Sequence, residues 1–225
     1  MTESHSPSKN NVNTLRITEI FYSIQGESTY AGQPCVFVRL TGCPLRCSWC
    51  DTTYAFYGGT DMNLETVIEQ VNRYACPLVE VTGGEPLAQP ATSPLITKLC
   101  DEGFEVLIET SGSIDIAPVD SRAKIIMDIK CPSSEMENQM RWENLQHITS
   151  KDQIKFVISN RQDYDWAVNI VKRNHLTGRC PVLFSPAFGS QDLRLMAEWI
   201  LDDGLQIRFQ VQLHKIIWDP ETRGV

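Results

Sequence analysis

Three cysteines lie close together between Gly42 and Thr52, in the sequence Gly-Cys-Pro-Leu-Arg-Cys-Ser-Trp-Cys-Asp-Thr. They are Cys43, Cys47 and Cys50, and a loop with this spacing can place its thiolates around one inorganic cluster. A [4Fe-4S] cluster normally takes four cysteine thiolates, so a loop with three leaves one iron free to bind another ligand. An open coordination position on a metal favours catalysis, whereas a closed set favours a structural role.

Two other interpretations of these cysteines remain open from their spacing. The loop can belong to a zinc site whose fourth ligand is a distant histidine, for which the candidates are His147, His175 and His214. The thiols can also be reduced side chains that pack without a metal. Trp49, directly before the last cysteine, favours the iron–sulfur interpretation, because a flat apolar ring beside the open iron suits an adenine-bearing ligand.

Length and charge narrow the class of protein. The chain has 225 residues and a formal net charge of −8, which suits one larger α/β domain. The sequence contains no long basic run, which argues against a general nucleic-acid surface or an anionic membrane surface. We therefore expect a small-molecule substrate, and neither nucleic acid nor a membrane as a partner.

The N-terminal residues and the cysteine usage indicate the compartment. Residues 1–13 are polar and are predicted to form a disordered tail before a single domain over residues 14–225. They lack the apolar segment of a signal peptide, so we expect a cytoplasmic protein. Eight cysteines in such a chain indicate a metal or free thiols more than disulfides. The five outside the loop are predicted to be buried: Cys35, Cys76, Cys100, Cys131 and Cys180.

Apolar patterns predict strands that alternate with helices. After an extended segment at 17–22, strands are predicted at 35–40, 78–82, 104–109, 124–129, 153–159, 181–185 and 206–213, and helices at 64–74, 93–102, 163–174 and 192–202. This alternation implies parallel strands joined by right-handed crossovers. There are too few units for eight repeats, so we predict an α/β fold that is an incomplete, open (βα)6-type partial TIM barrel. In barrels, chemistry is located where the strands end.

Polar motifs follow three of the predicted strands. Thr82-Gly83-Gly84-Glu85-Pro86 ends one strand, and two glycines there let the backbone approach a ligand closely. Segments 109–112 and 128–130 end two later strands. Taken alone, a Gly-Gly pair is more often a plain turn, and the other segments are ordinary polar junctions. Because strand ends share one rim, their combination with the cysteine loop predicts a single site.

The cysteine loop, with an aromatic residue before its third cysteine, resembles that of the radical S-adenosylmethionine (SAM) superfamily. The order of the motifs, with the cysteine loop after one strand and the Gly-Gly-Glu-Pro turn after the next, is also similar to that superfamily. The resemblance implies a [4Fe-4S] cluster on the three cysteines, with SAM at the open iron. It assigns SAM contacts to Trp49, Cys50, Asp51, Gly83, Gly84, Glu85, Ser111, Asp128, Ile129 and Lys130. Many relatives have Ser-Pro-Lys where this chain has Asp128-Ile129-Lys130, so the contact there can rest on Lys130 and the backbone.

Four segments are more specific, and resemble the 7-carboxy-7-deazaguanine synthase family. They are Phe-Tyr-Ser-Ile-Gln-Gly-Glu-Ser at 21–28, Phe-Val-Arg-Leu-Thr-Gly-Cys at 37–43, Trp-Cys-Asp-Thr at 49–52 and Gln-Leu-His-Lys-Ile-Ile-Trp at 212–218. The resemblance implies conversion of 6-carboxy-5,6,7,8-tetrahydropterin to 7-carboxy-7-deazaguanine, a radical ring contraction with loss of ammonia on the way to queuosine. It also implies a flavodoxin or ferredoxin as electron donor, and a homodimer.

The same resemblance assigns the substrate-binding residues. It gives Ile24, Gln25 and Gly26 as a backbone clamp on the pterin, with Glu27 and Thr82 beside it and Arg39 on its carboxylate. A guanidinium fork suits that bidentate contact. Thr52 is implied to ligate Mg²⁺, although from the residues alone it is a helix cap or turn residue. Residues 222–225 are expected either to fold back over the substrate pocket or to fray, and the apolar residues 216–218 to form a strand in an interface or the core.

Two other functions are weighed against the synthase. A glycyl-radical activating enzyme shares the cysteine loop and a similar glycine turn, but acts on a protein. Residues 25–27, Arg39 and Thr52 favour the pterin enzyme. A non-catalytic electron carrier or zinc-binding module needs a fourth ligand near the metal. It has no need for the SAM motifs at the strand ends.

Overall fold

A computed structural model of the chain describes residues 13–225, so the tail predicted for residues 1–13 lies outside the described part except for Asn13. The strands are β1 (Thr14–Ile24), β2 (Pro34–Leu40), β3 (Thr60–Asn63), β4 (Leu78–Gly83), β5 (Glu105–Thr110), β6 (Lys124–Ile129), β7 (Gln153–Ile158), β8 (Val182–Pro186) and β9 (Arg208–Phe209). The α-helices are α1 (Leu64–Asn72), α2 (Thr92–Asp101), α3 (Arg161–Arg173), α4 (Leu193–Asp202) and α5 (His214–Ile217). None of these helices combines the length and apolar composition needed to cross a bilayer.

The strands form one sheet in the order β3-β1-β2-β4-β5-β6-β7-β8-β9. Strand β1 pairs antiparallel with β2 and β3, whereas β2 and the strands from β4 onward pair parallel. Within residues 13–225 the edge strands β3 and β9 do not pair with each other, so the sheet stays open. The predicted α/β fold with an open, incomplete barrel is confirmed.

Side-chain alternation gives the sheet two different faces. On β2 and β4, Val36, Val38, Val79 and Val81 are fully buried in the main apolar core. The intervening positions point to the opposite, inner face, because successive strand residues alternate sides. Helix α1 adds Leu64, Val67 and Val71 to the core, and its N-cap residue Asn63 accepts a hydrogen bond from the Thr66 amide at 2.8 Å.

The end of the chain differs from the prediction. A strand was expected over 206–213, but only Arg208–Phe209 pairs with β8. The chain then leaves the sheet, and the Leu213 amide donates to the carbonyl oxygen of Gly26 at 2.9 Å. This long-range contact outweighs the local strand preference, so Ile216 and Ile217 lie in helix α5 and are exposed. The predicted strand at 216–218 is therefore wrong.

Strand β3 was missed because its sequence, Thr-Asp-Met-Asn, has no apolar alternation. It exists because its backbone pairs with β1, from Thr14 opposite Asn63 to Ile17 opposite Thr60. A strand formed by backbone pairing alone leaves little trace in side-chain patterns.

Candidate active site

The carboxyl ends of six neighbouring parallel strands surround a cavity of about 520 Å³. Its size is in the range of small-molecule sites. The inner-face residues that line it from β2 to β8 are mainly polar or charged: Arg39, Glu80, Thr82, Glu109, Ser111, Asp128, Lys130, Lys155 and Ser185. This concentration of polar groups at strand ends, over an apolar core, marks the cavity as the site.

The cysteine loop forms one wall of the cavity. Cys43, Cys47 and Cys50 all line it as free, partly exposed thiols, together with the half-buried Trp49. The loop is held from behind by Ser48, whose amide and hydroxyl donate to backbone oxygens of the 132–134 turn at 3.2 and 2.7 Å. The backbone therefore presents all three thiols to one space.

The donor set fits an iron–sulfur cluster better than a single zinc ion. Among residues 13–225, no group of three His, Cys, Asp or Glu side chains is close enough to hold one metal ion. His147 and His175 are exposed and lie outside the cavity, and His214 packs against Gly26. A [4Fe-4S] cluster binds each thiolate to a different iron, so it accepts a wider spacing of ligands.

The Gly-Gly turn after β4 packs against the start of the cysteine loop. Gly83 has φ +144°, and a Cβ there would lie 2.3 Å from the Leu40 carbonyl oxygen. A Cβ on Gly84 would lie 2.3 Å from the Gly42 carbonyl oxygen. Only glycine allows this approach, which leaves the backbone of both residues on the cavity wall.

The structure places the side chains of Glu85 and Ile129, both predicted as SAM contacts, outside the cavity lining. Glu85 is fully buried, and its carboxylate accepts hydrogen bonds from the Thr110 hydroxyl at 2.9 Å and the Ser111 amide at 2.7 Å. It therefore ties the glycine turn to the end of β5. Ile129 lies on the outer face of β6, in the apolar core.

Asp128 and Lys130 form a pair beside the cysteines. Lys130 Nζ lies 2.8 Å from Asp128 Oδ2, and both side chains are largely buried. Burial raises the pKa of Asp128, but Lys130 and Lys155 outweigh burial and hold this pKa below its ordinary value. Asp128 Oδ1 is buried and has no hydrogen-bond partner among residues 13–225. A buried acceptor of this kind normally has a donor, and a ribose hydroxyl of SAM would supply one.

The segment from Ile24 to Glu27 forms another part of the cavity lining. The Gln25 side chain is buried, and its Oε1 accepts from the Glu27 amide at 2.7 Å. A Cβ on Gly26 would lie 2.1 Å from His214 Nδ1, so the glycine lets the C-terminal segment approach this wall. The predicted clamp residues therefore line the same cavity as the cysteine loop.

A buried lysine, missed in the sequence, links three acidic side chains. Lys155 is 6 % exposed, and its Nζ lies 2.6 Å from Glu27 Oε2, in ion-pair contact with Glu109 and 3.7 Å from Asp128 Oδ2. A lysine inside the apolar strand Gln-Ile-Lys-Phe-Val-Ile was the available signal, as was a glutamate at Glu80 inside Leu-Val-Glu-Val. Charged residues in buried strands need a partner or a function.

Arg39 is a second cation in the cavity. Its Nε donates to Glu19 Oε1 at 2.8 Å, and the same oxygen accepts from the Tyr54 hydroxyl at 2.8 Å. Its carbon Cζ lies 5.7 Å from the centre of the Phe21 ring. No protein acceptor among residues 13–225 takes its two terminal nitrogens, so the guanidinium can bind an incoming carboxylate.

The rim carries Asp51 and Thr52 and is covered by the end of the chain. Thr52 Oγ1 donates to Asp51 Oδ1 at 2.9 Å, and Asp51 Oδ2 accepts from Lys215 Nζ at 2.7 Å. Residues 220–225 line the cavity, and Arg223 Cζ lies 4.2 Å from the centre of the Tyr54 ring. Residues 222–225 thus fold back over the site, which is the first of the two alternatives expected from the sequence. Cys131, in contrast, is fully buried in the core.

Comparison with known proteins identifies the class. Residues 37–175 match the family model described as the radical SAM superfamily. This match spans the cysteine loop, the glycine turn and most of the parallel sheet, and the chain belongs to that superfamily.

The relatives narrow the family. The chain is 46 % identical to the 7-carboxy-7-deazaguanine synthase of Chlorobaculum tepidum, over 94 % of this chain and 97 % of the relative. It is 45 % identical to that of Koribacter versatilis, over 94 % of this chain and the whole relative. The crystal structure of QueE from Escherichia coli has the same fold, with a TM-score of 0.75, 22 % identity and coverage of 89 % of this chain and 95 % of that one. The chain belongs to the 7-carboxy-7-deazaguanine synthase family.

Proposed function

We propose that this chain converts 6-carboxy-5,6,7,8-tetrahydropterin to 7-carboxy-7-deazaguanine with loss of ammonia, a step towards queuosine and related deazapurines. The main supporting observation is that one cavity holds the three-cysteine loop, the glycine turn and a half-buried arginine, Arg39, whose terminal nitrogens are free among residues 13–225. The first two suit radical SAM chemistry, and the third suits a carboxylated substrate.

Cys43, Cys47 and Cys50 would hold the [4Fe-4S] cluster. Gly83, Gly84, Ser111, Asp128 and Lys130 line the adjoining wall, and we assign them to SAM. When bound, the reduced cluster and SAM supply a radical that removes a hydrogen atom from the substrate.

The substrate lies between Arg39 and the Ile24–Glu27 segment in this proposal. Arg39 binds the carboxylate through its terminal nitrogens, while backbone groups of the segment hydrogen-bond the pterin edge. Lys155 forms ion pairs with Glu27 and Glu109, and we assign the two carboxyl groups as acceptors for N–H groups of the ring. The end of the chain, over the cavity, limits the entry of water.

We also propose Mg²⁺ at Thr52. Its side chain lines the rim, and Mg²⁺ accepts a single protein oxygen while keeping other positions for water or substrate. The proposal is supported by the position of Thr52 directly after the cysteine loop.

Two further parts of the proposal rest on the family resemblance: a flavodoxin or ferredoxin that delivers one electron to the cluster, and a homodimer. A single domain over residues 14–225 and a cytoplasmic location are proposed from the length and composition of the sequence. The alternative of a glycyl-radical activating enzyme is disfavoured, because residues 220–225 cover a cavity of small-molecule size.

The proposal is tested by an anaerobic assay of the protein reconstituted with iron and sulfide. Reductant, SAM, Mg²⁺ and the carboxypterin are added, and products are followed by mass spectrometry. We expect 7-carboxy-7-deazaguanine from the wild type and from Cys100→Ala, whose cysteine lies outside the cavity. Cys47→Ala should give none. If 5′-deoxyadenosine forms without the deazapurine, the substrate assignment is wrong; a protein that binds only zinc and forms neither compound refutes the whole proposal.

A further inference from the structure

One buried acid in the cavity has no role in the account above. Glu80 lies on β4, one inner-face position below Thr82, and is 3 % exposed. Its neighbours in the sheet are Phe37 of β2 and Leu107 of β5, both apolar. Among the ion pairs of residues 13–225, none includes Glu80. A buried carboxyl group without a cation is costly, so its presence needs an explanation.

The hydrogen-bond partner of Glu80 is Gln25. The Gln25 Nε2 amide donates to Glu80 Oε2, while its Oε1 accepts from the Glu27 backbone amide at 2.7 Å. An amide group with its donor and its acceptor both engaged cannot flip without losing both bonds. The backbone of Gln25 is held as well, through bonds of 2.8 Å with the Gln33 carbonyl oxygen and with the Gly32 amide.

The pKa of Glu80 fits a role as the hydrogen-bond acceptor that holds the Gln25 side chain. Burial, followed by the nearby carboxylates of Glu109 and Glu27, raises the pKa of Glu80 well above its ordinary value. The raised pKa favours the neutral, protonated form of its carboxyl group. In that form it accepts the hydrogen bond from Gln25 without adding a fourth negative charge to the three acidic side chains around Lys155.

We propose that Glu80 is a positioning residue for the substrate: through the Gln25 side chain, it fixes the backbone of residues 25–27 in the conformation that binds the pterin. This inference rests on the proposed function, which assigns substrate binding to that segment. Glu80 does not contact the substrate in this scheme. Its effect passes through Gln25 to the Glu27 amide.

Substitutions at Glu80 separate this role from a charge effect. Glu80→Gln keeps a carbonyl acceptor of the same shape, so we expect a KM for the carboxypterin within about threefold of wild type. Glu80→Leu removes the acceptor, and loss of a buried hydrogen bond predicts a KM raised roughly 10- to 100-fold. The dissociation constant for SAM should stay unchanged in both variants, because the hydrogen bond that they alter joins Glu80 to Gln25, and neither residue is assigned to SAM.

Gln25→Leu tests the connection from the other side and leaves β4 intact. If both residues act as one unit, the double variant Glu80→Leu/Gln25→Leu raises KM no further than either single change. Asp152→Leu serves as the structural control, since Asp152 is buried, lies outside the cavity and holds the Ile125 amide at 2.9 Å. It should lower stability without raising KM.

Hydrogen exchange gives a readout independent of turnover. We expect amides in residues 21–33 to exchange faster in Glu80→Leu and in Gln25→Leu than in wild type and Glu80→Gln. Unchanged exchange and KM in Glu80→Leu, or additive effects in the double variant, would overturn the inference. If wild type forms no deazapurine, the proposed function fails, and the exchange data alone decide whether Glu80 holds this segment.

Discussion

Replacing Lys155 by methionine removes the cation that compensates the acidic wall of the cavity. The change keeps the side-chain volume but leaves the partly buried Glu27 and Glu109 without their ion-pair partner. Breaking a buried pair in this way costs about 3–5 kcal/mol. For a chain of this length, that loss lowers the melting temperature by roughly 6 to 20 °C.

The loss of stability in Lys155→Met should depend on pH. In the wild type, Lys155 outweighs burial and lowers the pKa of Glu27, whereas burial keeps the pKa of Glu109 raised. Without Lys155, burial raises the pKa values of Glu27 and Glu109 above that of a glutamate in the unfolded chain, which is about 4.3. Such groups destabilise the fold fully above the raised pKa and not at all below the unfolded pKa. The variant should therefore be most impaired at pH 8 and recover towards wild type as pH falls to 5.

The assay is differential scanning calorimetry of reconstituted protein under anaerobic conditions at both pH values. Lys124→Met is the matched control, because Lys124 also pairs with a glutamate, Glu105, but is 30 % exposed. Exposed pairs contribute about 0–1 kcal/mol, so this change should cost less than about 4 °C. If both variants lost the same melting temperature, or if the loss in Lys155→Met did not change with pH, Lys155 would not be the cation that compensates Glu27 and Glu109.

Two further changes test individual assignments. Arg39→Lys keeps the charge but loses the guanidinium fork, so KM for the carboxypterin should rise about 10- to 100-fold with a smaller change in kcat. The surface variant Arg122→Lys is the control and should match wild type. An unchanged KM in Arg39→Lys would exclude the contact between Arg39 and the substrate carboxylate. Thr52→Ala should raise the Mg²⁺ concentration needed for half-maximal activity by at least roughly tenfold, as is typical of disturbed metal sites. Thr66→Ala is the control and should match wild type. If Thr52→Ala and wild type gave the same Mg²⁺ titration, Thr52 would not be a metal ligand.

The parts of the site that were predictable are those whose chemistry is local in the chain. The cysteine loop needs three thiols within a few residues, and the Gly-Gly turn needs two residues without Cβ atoms. Both requirements are visible in the sequence, and the structure shows the physical reason for the second, since Gly83 and Gly84 approach within contact of the 40–42 backbone. The alternation of strands and helices likewise predicted the open parallel sheet.

Other features depend on contacts between distant segments. Lys155 and Glu80 lie in different strands, and their relation to Glu27 and Gln25 emerges only when the sheet is assembled. The final strand was overpredicted because the sequence around 206–213 favours extended structure, while the docking of Leu213 on Gly26 decides its path. Glu85 was assigned to SAM, yet its buried carboxylate is used to join two loops.

The central claim is that the cavity generates a radical next to C6 of a bound carboxypterin. The most direct measurement supplies substrate deuterated at C6 to the reduced, reconstituted protein with SAM and analyses the 5′-deoxyadenosine by mass spectrometry. We expect deuterium in the 5′-deoxyadenosine together with formation of the deazapurine. Formation of 5′-deoxyadenosine that carries no deuterium, while the deazapurine accumulates, would contradict hydrogen abstraction at that carbon.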